Sequence, residues 1–183
     1  MHAALIAMDY TAQINGPIEL YPKDYVISPS ATLQSILQTA MPELSHQLLL
    51  ASIVAAVRDV FSQAPGFVEQ SHTYGLSALE AQCMCAYTLD ARQFQASREA
   101  SIFFLYNAAL RSRDCTAVAR WRDFSFVFEA ALKKLPDQEC TVFRGLDCSL
   151  TEISHLYETG GKVWLNSVTS CTTDKQGTMV RIC

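Results

Sequence analysis

Arg144 closes the apolar run Thr141-Val-Phe-Arg144-Gly145, and a cluster of alcohols, Ser167, Thr169 and Ser170, follows the second run Lys162 to Asn166. A guanidinium is a planar fork of donors that matches phosphate oxygens. Gly145 behind it would let the backbone approach a ligand closely. Hydroxyls past a strand can hydrogen-bond a ribose or order a neighbouring carboxylate. Each motif also has a plainer meaning. Arg144 taken singly reads as an edge-strand arginine in a surface salt bridge, and Ser167, Thr169 and Ser170 as turn residues. The order favours chemistry: Arg-Gly strand, capped helix, Gly160-Gly161 turn, aromatic strand, Ser-x-Thr-Ser.

The elements that must position these groups read as helices first and strands after. Residues 1 to about 30 carry breakers at Asn15-Gly-Pro17, Tyr21-Pro22 and Ser28-Pro29-Ser30 and read as loop. Leu33, Ile36, Leu37 and Ala40 recur at helical spacing. A longer helix is expected from Pro42 to about Phe61, with Leu44, Leu48, Ala51 and Val54 on its inner face, closed by Ala64-Pro-Gly66. Ser77 and Glu80 have the spacing of a capping box. Ser97 precedes a second start with Ile102, Phe103, Tyr106, Ala109 and Leu110. A helix from Thr116 to Leu132 would bury Val118, Trp121, Phe124, Phe128 and Leu132, with Phe126 on another face. Strands are expected at Cys140 to Phe143, Lys162 to Asn166 and Thr178 to Ile182, with a short helix opened by Ser149 and Glu152. The layout predicts an α+β fold.

Over residues 75 to 183 the chain resembles the arginine-specific mono-ADP-ribosyltransferases, the clade named for an Arg, a Ser and a Glu. Two of the three signature elements carry the resemblance, supported by Ala86-Tyr87-Thr88, by Tyr106-Asn107 with Leu110-Arg111, and by Ala131-Leu132 with Leu135-Pro136. The resemblance implies a helical subdomain over 77–135 and the beginning of an NAD-cleft β-sheet over 140–183, with residues 1–74 as an amino-terminal extension. It implies NAD(P) as co-substrate without a metal, an acceptor protein offering an arginine side chain, and release of nicotinamide. Arg144 and Gly145 would hold the dinucleotide. Ser167 would contact the nicotinamide ribose and support the catalytic Glu, with Thr169 and Ser170 behind it. That Glu would stabilise the cationic ribosyl centre. The Glu-x-Glu element does not follow: Asp174 is the one acid after Ser170. The chain therefore reads as a fragment lacking the catalytic carboxylate. The alternatives are an inactive binding module on the same scaffold, and an unrelated helical protein whose motifs are coincidental.

The bulk properties narrow the partners. A formal net charge of −4 with no basic stripe lacks the footprint of a nucleic-acid binder. The apolar runs Ser101 to Leu110 and Leu48 to Val57 are too short to cross a bilayer, and the amino terminus lacks a basic leader, so a cytoplasmic protein is expected. Seven cysteines (83, 85, 115, 140, 148, 171 and 183) read as reduced, small core filler. His2, His46, His72 and His155 share no metal-ligand spacing, and Arg111, Arg113, Arg120 and Arg122 read as a solvated face. The expected outcome for the purified chain is weak NAD binding at most and no ADP-ribose transfer. Robust NAD consumption in a nicotinamide-release assay would contradict it.

Overall fold

The computed structural model describes residues 19–137 together with 140, 141, 168 and 173. Among them are seven α-helices: α1 Leu33–Ala40, α2 Leu44–Gln63, α3 Pro65–Thr73, α4 Ala78–Thr88, α5 Ile102–Ser112, α6 Cys115–Arg120 and α7 Arg122–Lys134. Two 3-10 turns, Ala91–Phe94 and Arg98–Ala100, link α4 to α5.

Local chemistry sets several ends. Thr32 and Ser35 form a capping box at α1, and the Leu33, Ile36, Leu37 and Ala40 stripe is buried as its spacing predicts. Pro65 stands in the first turn of α3, where its missing N–H costs nothing, and the axis turns by 87° from α2. Phe61 and Phe67 pack edge to face across that bend, with ring centroids 5.4 Å apart. Gly75 ends α3 at φ +65°, donating to the His72 carbonyl while Leu76 donates to Ser71. These are the two bonds of a Schellman end, which favours glycine at the left-handed position.

The second capping box also forms. Ser77 N–H donates to Glu80 Oε2 at 2.6 Å, and Glu80 N–H to Ser77 Oγ at 3.3 Å. Lys134, at the end of α7, donates to the same Glu80 oxygen at 2.7 Å and to the Gly75 carbonyl at 3.1 Å. One buried carboxylate thus caps α4 and ties it to α7. Between these helices and α5 lies an aromatic core: Tyr87 and Phe128 centroids are 4.7 Å apart, Tyr106 and Phe124 5.2 Å, Tyr106 and Trp121 5.3 Å. Such pairs add about 0.5–1.5 kcal/mol each beyond area burial.

The α+β expectation is corrected: the fold is mostly helical, without a strand among the described residues. The physical reason is that the apolar stripes of α1, α2, α4, α5 and α7 bury one another, helix against helix, around one core. Cys140 and Thr141, expected to open a strand, have no regular structure. The rest of that strand and the expected strands at 162–166 and 178–182 lie outside the described residues. Other details also shift. In α2 the inner face is Leu49, Leu50, Ile53 and Val57, while Leu48 is 84% exposed. The expected Thr116–Leu132 helix breaks at Trp121 (φ −90°, ψ 5°) into α6 and α7, and Leu132 is exposed. The helix expected from Ser97 begins at Ile102, after a 3-10 turn.

Burial opposes ionisation of Glu80, but the Lys134 ammonium and the Ser77 donors outweigh it and hold the carboxyl below its ordinary value. The unfolded chain therefore binds the proton more readily, and this stabilisation is complete above the ordinary carboxyl value of about 4.3 and lost as pH falls through the lower folded value. Glu80→Gln should cost about 1–3 kcal/mol near neutral pH. In urea denaturation the gap to wild type should close in acid, and a gap constant with pH would rule out an ionised pair.

Candidate functional site

Arg144, Gly145, Ser167, Thr169 and Ser170 lie outside the described residues. Between the alcohols, however, Val168 is described. Its backbone N–H donates to Asn107 Oδ1 at 3.0 Å, and its side chain packs, partly buried, against the helical core.

Asn107 is fully buried on α5, five residues after Ile102 and one residue after Tyr106. Its Nδ2 donates to the Tyr87 hydroxyl on α4 at 2.9 Å. The Val168 amide can only donate, so Oδ1 must face it and Nδ2 must face Tyr87; the amide has one sensible orientation. Tyr87 is itself wedged by the rings of Phe103, Tyr106 and Phe128. Burial raises the Tyr87 hydroxyl's pKa, against the opposing effects of the Asn107 donor and the Arg111 charge, so it stays neutral at physiological pH. Arg111 follows Asn107 by one helical turn and is half-buried.

Both supporting helices are braced. The Glu80 cap sets where α4 begins. At α5, buried Ser101 Oγ accepts from the Ala91 N–H at 2.9 Å, fastening the preceding turn to the helix start. Tyr106 points elsewhere, donating to Ser125 Oγ at 3.1 Å, and Ser125 donates to the Trp121 carbonyl. The upstream residues singled out in sequence thus divide: Tyr87 and Asn107 meet over Val168, whereas Tyr106 belongs to the α7 interface. Asn107 was singled out in sequence only as part of the Tyr106-Asn107 pair; the signal of its buried role is that it is a lone amide inside the apolar run Ile102 to Leu110.

Elsewhere, a cleft of about 120 Å³ lies between Met41, Leu105 and Trp121. On its rim Glu43 is already held, by His46 at 3.1 Å and Arg120 at 3.4 Å. Among the described residues no three His, Cys, Asp or Glu side chains gather as a metal site. Cys83 and Cys85 are buried free thiols, and burial, with Glu80 nearby, pushes Cys83 up to about 12. Cys115 and Cys140 are exposed, which corrects their reading as core filler; Cys148, Cys171 and Cys183 lie outside the described residues. The expected solvated arginine face is corrected in part: Arg120 is exposed, whereas Arg111, Arg113 and Arg122 are half-buried and Arg122 lies over the Tyr25 ring. No single helix among the described residues is long and apolar enough to cross a membrane.

No family model, curated protein or solved structure matches the chain.

Asn107→Ala should leave the Tyr87 hydroxyl and the Val168 N–H without their buried partner, costing about 1–3 kcal/mol. The Val168 amide should exchange with solvent at least about tenfold faster, read by hydrogen-exchange NMR. Tyr87→Phe keeps the Val168 bond and should accelerate that amide less.

Proposed function

We propose that this chain holds NAD for mono-ADP-ribosyl transfer to a protein arginine side chain. The observation that supports it is the Asn107–Val168 hydrogen bond, which anchors the middle of the Ser167, Thr169, Ser170 motif to the helical core. Sugar recognition demands hydroxyls held to a fraction of an ångström, and a buried amide bonded at both ends supplies such an anchor. In this reading Arg144 grips the dinucleotide's phosphates in a charge-assisted fork, with Gly145 giving it room. Ser167 orders the nicotinamide ribose, and Thr169 and Ser170 complete the set of alcohols. NAD is the ribosyl donor. The bond from its ribose to nicotinamide breaks, a bond forms to the acceptor guanidinium nitrogen, and the displaced proton passes to a carboxylate base. That carboxylate has no counterpart after Ser170 in this chain.

A second reading has an observation of its own. Every described regular element is a helix, which favours a helical scaffold that binds a partner without transferring anything. Titration of a fluorescent NAD analogue against the natural protein carrying this sequence separates the two. The transferase reading expects saturable binding, weakened about tenfold to a hundredfold by Arg144→Ala, the worth of one charge-assisted contact. It also expects nicotinamide release in the presence of an arginine acceptor. Binding without release selects the scaffold, and absence of binding removes the NAD assignment altogether.

A further inference from the structure

Residues 19–31 contain no helix or strand and lie along the outer side of α7 as a strap. Tyr21 meets Glu129 and Tyr25 meets Asp123, so the strap runs antiparallel to the helix. Phe126 stands between them and takes both rings edge on, with centroids 5.3 Å from Tyr21 and 5.6 Å from Tyr25. The Arg122 guanidinium lies 5.7 Å from the Tyr25 ring centroid. Each phenol donates its proton to a carboxylate, Tyr21 to Glu129 Oε2 at 2.8 Å and Tyr25 to Asp123 Oδ1.

Among the described residues, the strap has no backbone hydrogen bond to α7. Its hydrogen bonds close its own two turns, from Tyr25 to the Pro22 carbonyl and from Ala31 to the Ser28 carbonyl. Among the described residues, side chains fasten it: the two tyrosines, and Leu20, Ile27 and Ala31 packed against the core. Apolar and ring contacts seat it, and its two side-chain hydrogen bonds to α7 are phenolic protons facing carboxylates. Burial, and then the facing carboxylate, push both phenols up to about 12, so both remain neutral donors at physiological pH.

Both tyrosines sit in non-helical segments with acids just before them, Glu19 two residues ahead of Tyr21 and Asp24 directly ahead of Tyr25. Val26, next after Tyr25, is 79% exposed, which presents an apolar side chain to solvent beside an acceptor hydroxyl. Tyr87 and Tyr106, by contrast, are sealed in the core. Tyr21, at a bend, and Tyr25, closing a turn, are partly exposed. A partly exposed non-helical tyrosine behind an acid is a form of acceptor that protein tyrosine kinases engage.

We propose that Tyr21 and Tyr25 are phosphorylation sites, and that phosphate on either phenol lifts the strap from α7. In the step, the phenol oxygen bonds to the γ-phosphorus of a nucleoside triphosphate. The bond from that phosphorus to its bridging oxygen breaks, the nucleoside diphosphate leaves, and the phenol proton goes to the kinase's base. The modified side chain has lost its donor and carries a charge of roughly −2 toward Glu129 or Asp123. A phosphate oxygen and a carboxylate are both acceptors, so the bond cannot re-form. Lifting the strap uncovers Phe126 and the charged face of α7.

The test treats the whole chain with adenosine triphosphate and a broad-specificity tyrosine kinase, maps phosphate by mass spectrometry, and follows hydrogen exchange. The expected result is phosphate on Tyr21 or Tyr25, with the Tyr25 and Ala31 amides exchanging at least about tenfold faster while α4 and α5 keep their protection. The double variant Tyr21→Phe/Tyr25→Phe keeps both rings on Phe126 and should show no exchange response to the kinase. The single variants should each retain a response through the remaining phenol. Phosphate confined to other tyrosines, or taken up nowhere, overturns the proposal. So does phosphate on the strap with unchanged exchange.

Discussion

A neutral amide sealed inside a helical core is tolerated only when both its ends are bonded, and Asn107 meets that condition by joining two parts of the chain distant in sequence. Its donor end needs the Tyr87 hydroxyl, so α4 and α5 must sit in one register. Its acceptor end takes the Val168 amide, so Val168 must come to the helices. The rings around Tyr87 exclude water from this junction. In that dry setting a hydrogen bond gains strength, and a lost one becomes costly.

The same pattern recurs through the interior. Tyr106 bonds Ser125 across the α5–α7 interface, and Ser101 bonds the Ala91 N–H ahead of α5. Apolar packing is indifferent to a small slide of one helix along another. A hydroxyl with one partner is not, and so the buried polar pairs choose the alignment while the apolar stripes supply the driving force. Ser125 Oγ also donates to the Trp121 carbonyl, which accepts the Ser125 backbone N–H as well at the start of α7.

At the periphery the fastening is electrostatic. Glu80 and Lys134 bind the α3–α4 turn to the end of α7, and the strap's tyrosines bind residues 19–31 to its middle. α7 is thus gripped on one side by the aromatic core and on another by side-chain contacts that solvent and modification can reach. Stability is unevenly distributed in such a molecule. Asn107 is fully buried in the core, whereas the strap's residues are partly or largely exposed.

What was legible in the sequence was whatever acts over three or four residues. The Ser77–Glu80 box and the stripe of Leu33, Ile36, Leu37 and Ala40 are of this kind, because helical geometry brings those positions together without help. In α2 nearly every position from Leu48 to Val57 is apolar, so period could not select the inner face. Packing did, turning Leu50, Ile53 and Val57 inward and leaving Leu48 outside. A continuous apolar period likewise hid the break at Trp121, and strand-like runs after Thr141 outweighed a core that closes helix on helix. Arg144, Ser167, Thr169 and Ser170 were proposed on residue type alone, but the bond that holds Val168 spans 61 positions. No local pattern reports a contact of that separation. The residue types and caps were set by the sequence alone, whereas the partner of a buried amide was decided only when the folded core left Asn107 one donor to accept.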